Sequence, residues 1–119
     1  MNKVLLGLAL FTISCGKGED TGVAPAACAQ DVDGAYPTWG TFGESFFLSY
    51  CRSCHSAETP QRFGAPDAIN FDSEEEVVSQ LAAVRRTVLT DQSMPKGGGV
   101  PEAERAELAR YLDCLESPP

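Results

Sequence analysis

Histidine is nearly missing: there is one in 119 residues, His55. A hydrolase-type nucleophile and base need an imidazole to spare, so the many serines have no partner of that kind beyond this residue. Basic residues are also few, with 9 Lys and Arg against 17 Asp and Glu and a formal net charge of -8. That balance excludes a nucleic-acid binder, whose footprint is a basic stripe. It suits a protein partner with a basic docking face, held in an association that weakens as salt rises. Long apolar runs are absent as well. The longest, Val4 to Ile13, is too short to cross a bilayer. No stretch alternates apolar and polar long enough to make a useful strand, and no internal repeat is visible.

The chain starts with a positive residue, Lys3, ahead of that short apolar run and then reaches Ser14-Cys15-Gly16. This is the layout of an export signal. It resembles a bacterial lipoprotein signal, in which the cysteine thiol is lipidated and becomes the new N-terminus. Thr12 departs from the leucine usual in that pattern, and an ordinary cleaved signal with Cys15 near the cut is the alternative. The expected organisation is a signal peptide over residues 1–14, a lipid-anchored tether and pre-helix segment over 15–37, and a folded domain over 38–119. The implied location is the periplasmic side of a membrane, anchored through Cys15, with a soluble periplasmic form as the alternative. That compartment is oxidising and permits disulfides.

The chemistry concentrates at Cys51-Arg52-Ser53-Cys54-His55. C-x-x-C-H is the spacing by which a haem is attached covalently. Two thiols about one helical turn apart can each add to one vinyl group, and the histidine that follows supplies an imidazole nitrogen to the iron. A redox dithiol is one competing account, but it belongs at a helix start in a βαβ context that this chain lacks. Half of a zinc site is another, but Cys15, Cys28 and Cys114 are too far apart to give the second ligand pair.

Around this motif the spacing predicts three helices and long loops, an all-α domain. The first helix is predicted from Thr41, with Glu44 as a capping-box partner and Phe42, Phe46, Phe47 and Tyr50 on one face. Residues 56–72 carry Pro60, Gly64 and Pro66 and read as a loop, long enough to require something to pack on. The second helix starts near Ser73 with Glu76 closing its cap, and buries Val77, Leu81, Val84 and Val88. A glycine-rich loop follows, and Pro101 opens a third helix with Leu108, Tyr111, Leu112 and Leu115 on its apolar face.

Over roughly Thr41 to Leu115 the chain resembles a class I c-type cytochrome. Three features carry the resemblance. They are Gly43-x-x-x-Phe47-x-x-x-Cys51, Met94-Pro95 in the loop before the last helix, and Leu108-x-x-Tyr111-Leu112. The resemblance implies a small cytochrome c fold with one haem c, covalent through Cys51 and Cys54. It implies axial ligands His55 and Met94, and Gly43 and Phe47 packed near Tyr111. It also implies that the Pro66 carbonyl receives the other ring N–H of His55. Met94 suits the iron as a soft, weak donor that raises the potential; Tyr50 or Lys96 in its place, or an open position, are the alternatives. Arg62 and Asn70 are candidates for contact with haem propionates or the Met94 loop.

The function expected is that of a monomeric electron carrier rather than an enzyme, alone or as a subunit of a larger redox enzyme. A haem protein with an open or labile sixth position, binding a small gas or peroxide, is the alternative. In an oxidising compartment Cys28 and Cys114 are expected to pair within the chain, against free thiols or pairing between molecules.

Overall fold

The chain begins its first helix with a short network of hydroxyls. Thr38 is extended (φ -123°), and its side chain accepts from the backbone N–H of Thr41 while the Thr41 hydroxyl accepts from the backbone of Thr38. This reciprocal cap starts a π-helical turn, Trp39–Gly43, which continues without a break into helix α1, Glu44–Tyr50. The computed structural model describes residues 27–119. The expected signal peptide, the expected tether up to residue 26 and the expected lipidation of Cys15 lie outside the described residues.

Every regular element among the described residues is helical, so the fold is all-α. Ser73 caps helix α2, Glu74–Ser79, and the Glu76 carboxylate accepts in return from the backbone of Ser73. Glu74, Glu75 and Glu76 place negative charge on that helix's positive end. The helix breaks at Gln80 (φ -119°, ψ 13°) and resumes as α3, Leu81–Val84, which loosens into a π-helical stretch, Arg85–Thr90. Helix α4, Glu102–Glu116, follows Pro101 and ends at Ser117.

The apolar faces of these helices meet in one core. Phe46, Phe47, Val77, Val84, Val88, Leu108, Tyr111 and Leu112 are buried, and the loop residues Phe71 and Val100 join them. The predicted stripes are therefore the observed ones, with Leu81 and Leu115 at the margin. The first helix starts earlier than predicted. Thr41 is the third residue of the first turn, and its own hydroxyl, not Glu44, completes the cap. The reason is Trp39, whose ring stacks on Phe47 at 6.1 Å and draws the preceding turn into the helix.

Packing between the first and last helices is close. A Cβ on Gly43 would stand 2.8 Å from Tyr111 Cζ and 2.9 Å from Trp39 Cε3, so no side chain fits there. Gly43 thus lies against Tyr111, as expected. The ring that meets Tyr111 is Phe42, at 5.9 Å, while Phe47 meets Phe71 at 5.2 Å with the rings tilted by 32°.

Cys28 and Cys114 form a disulfide across 86 positions, with Cα atoms 4.3 Å apart. Arg110 also donates to the Ala29 carbonyl at 3.1 Å. The segment before the first helix is thereby strapped to α4.

Candidate functional site

Helix α1 delivers Cys51. Its backbone N–H and that of Arg52 both bond back to the Phe47 carbonyl, and the next residues wind on as a turn with Cys54 N–H and His55 N–H both on the Cys51 carbonyl. Cys51 and Cys54 are therefore one turn apart, and neither is in a disulfide. Burial pushes the Cys51 thiol up to about 12. Among the described residues no three His, Cys, Asp or Glu side chains gather as metal ligands, which leaves the zinc account without a second pair of donors.

His55 is held by its Nδ1. That atom lies 3.1 Å from the Ile69 carbonyl oxygen, and since a carbonyl only accepts, Nδ1 carries the proton. Nε2 is thus the basic nitrogen. The ring meets the edge of Phe71 at 5.4 Å, and the Phe71 backbone N–H donates to the His55 carbonyl at 2.9 Å. Pro66 is not the acceptor, contrary to expectation. Its carbonyl instead takes a hydrogen bond from Arg62 at 2.7 Å, and the proline ring is exposed. The loop reaches the imidazole three residues further on.

Arg62 explains that displacement. Its guanidinium donates to four backbone carbonyls, those of Ser56, Ala65, Pro66 and Ile69, and pairs with Asp67 at 3.4 Å. Arg62, a candidate for contact with haem propionates or the Met94 loop, bonds in this structure to the carbonyls of its own loop. Residues 56–72 consequently close on their own polar centre. The loop is pinned to the motif at its end as well: Asp72 accepts from Arg52 at 2.9 Å and from the Ala57 N–H at 2.8 Å. Burial raises the Asp72 carboxyl, but hydrogen bonds from Ser56 and Ala57 and the Arg52 cation outweigh it and hold the group below the usual carboxylate range. Arg62 as a hub was not legible, because backbone carbonyls carry no sequence signature. The available signal was a single arginine in a Gly/Pro loop.

Met94 sits in the loop between the π-helical stretch Arg85–Thr90 and α4. Its N–H donates to the Thr87 carbonyl at 3.1 Å, and its peptide bond to Pro95 is cis. The side chain is half-buried and packs on the same apolar core that takes in Cys51, Ile69 and Phe71. The structure thus brings Cys51, Met94 and the two residues that hold His55 onto one core. Of the alternative ligands, Tyr50 donates its hydroxyl to Glu104 at 3.1 Å, and Lys96 is exposed. Asn70 donates to the Asp67 carbonyl, while its Oδ1 is buried with no hydrogen-bond partner in the protein. Two cavities, of about 440 and 460 Å³, lie elsewhere: one beside Trp39 and Tyr111, the other between α1 and α4 beside Phe42 and Glu104. Cys51, Cys54, His55 and Met94 are each half-buried.

Comparison with protein-family models, with curated proteins and with solved structures finds no match to this chain.

Proposed function

We propose that this protein is a single-haem electron carrier of the class I c-type cytochrome kind, exported and working on the periplasmic side of a membrane. The observation that carries this reading is the state of His55. The Nδ1 proton is committed to Ile69, so Nε2 presents a lone pair, and the residue follows directly on two unpaired cysteines one turn apart.

The donor set is right for an iron porphyrin. Cys51 and Cys54 would hold it through thioethers, and His55 Nε2 and the Met94 sulfur would ligate the iron. Bound there, haem supplies a one-electron ferric/ferrous couple. The protein's own part is to keep that couple in place and tuned. The Ile69 carbonyl fixes the ring orientation of His55. Phe71 bears on the imidazole edge, and the apolar core behind Cys51 and Met94 keeps water from that side. The unpartnered Asn70 Oδ1 is a buried polar atom beside Ile69 and Phe71, of the kind left for a group outside the polypeptide. His55 is the one imidazole of the chain, and with its Nε2 on the iron it would leave no base of that type to move a substrate proton, which fits a carrier. The disulfide between Cys28 and Cys114 suits an oxidising compartment. No helix among the described residues is long and apolar enough to cross a membrane; the attachment proposed is a lipid on Cys15.

The test is replacement of the weaker ligand. Met94→Ala in the haem-matured protein is expected to lose low-spin ferric character and to lower the reduction potential. An unchanged spectrum and potential would rule out the Met94 carrier and leave an open-site haem protein in its place.

A further inference from the structure

The Ile69 carbonyl oxygen is shared. It accepts from His55 Nδ1 at 3.1 Å and from the Arg62 Nη2 at 3.0 Å. Arg62 is mostly buried, with 16 % of its side chain exposed, and three of its other four N–H donors are spent on the carbonyls of Ser56, Ala65 and Pro66. The guanidinium is therefore fixed beside the acceptor on which the imidazole depends. Its carboxylate neighbour, Asp67, is 99 % exposed and does little to neutralise it.

We propose that Arg62 is a positioning residue that sets the donor strength of His55 and so raises the reduction potential of the bound iron. The inference rests on the haem reading above. Its physics is direct. A carbonyl that accepts from a cation has less electron density to offer a second donor. The Nδ1 proton then stays more fully on the ring, and the imidazole gains less basicity from its hydrogen bond than it would from an unshared carbonyl. A less basic axial imidazole favours ferrous over ferric iron. The nearby positive charge acts in the same direction, because it opposes the extra charge of the oxidised state. Arginine is needed for its fork: a lysine ammonium is a point charge that cannot span four carbonyls at once.

The sequence offers a clean reporter. Isoleucine occurs only at Ile13, inside the expected signal peptide, and at Ile69. Isoleucine labelled with carbon-13 at the carbonyl therefore gives the processed protein one labelled carbonyl, at the shared acceptor. The experiment uses the haem-matured protein with this label, unaltered and as Arg62→Lys and Arg62→Gln. It reads the optical spectrum, the Ile69 carbonyl resonance and the midpoint potential. Both variants are expected to keep a six-coordinate low-spin spectrum. The Ile69 resonance should move upfield as a hydrogen bond is lost. The potential should fall, further for Gln than for Lys. Variants that keep the spectrum and show no fall in potential would overturn the proposal. If neither variant matures, the unaltered protein decides: a carbonyl resonance typical of one donor overturns it, and one displaced downfield by two donors supports it. Failure of the parent reading looks different, since the unaltered protein would then show no haem absorbance, and this inference would fall with it.

Discussion

Gly43 shows how much rests on one missing carbon. Alanine there would drive a methyl to 2.8 Å from the Tyr111 ring. The first and last helices would have to part, at about 1–3 kcal/mol. Chemical denaturation of Gly43→Ala should show a loss in that range, and an unchanged midpoint would contradict the packing described. Tyr111 itself is fully buried and donates to Glu74 at 3.0 Å. Burial first, and then the Glu74 carboxylate, hold its phenol far above the ordinary value. The folded state therefore keeps a proton that the unfolded chain releases. The stability this contributes is full below about pH 10 and is lost as pH rises beyond it. Tyr111→Phe should flatten the alkaline fall in stability seen by thermal denaturation between neutral and strongly alkaline pH. An identical fall in both proteins would place the alkaline sensitivity elsewhere.

At the scale of elements, the caps are the local signals that the chain uses. Thr38→Ala removes the oxygen that receives the Thr41 N–H and should cost about 1 kcal/mol in denaturant unfolding. Thr41→Ala should cost a similar amount, because the Thr41 hydroxyl completes the same cap. A cost at Thr41 alone would restore the later helix start read from spacing. The start of the second helix and the span of the last were legible almost to the residue, since Ser73 with Glu76, and Pro101 with its apolar repeat, act through local bonding and period; the break of the second helix at Gln80 and its π-helical stretch after Val84 were not. The first helix was displaced because a tertiary contact, Trp39 on Phe47, set its beginning. The site divides in the same way. Cys51, Cys54 and His55 are adjacent in the chain, so their grouping is visible as a motif. The acceptor for His55 is a backbone carbonyl fourteen positions away, and the loop that presents it is shaped by Arg62. Nothing in residue spacing distinguishes the carbonyl of Pro66 from that of Ile69.

For the whole molecule, the longest covalent link is the one between Cys28 and Cys114, closing 86 positions of chain. A loop of that size restricts the unfolded state by about 4–5 kcal/mol. The Cys28→Ser, Cys114→Ser protein should lose stability of that order, read by denaturant titration, and an equal midpoint would deny the bond a role. The net charge of -8 gives the molecule a field that a basic partner would sense. The central claim is the covalent haem, and intact mass spectrometry of protein exported from cells that mature such cofactors tests it most directly. The expected product is a processed chain heavier by one haem, an increment that survives acid denaturation and is absent from Cys51→Ser, Cys54→Ser protein. A mass equal to that of the bare processed polypeptide would contradict the claim.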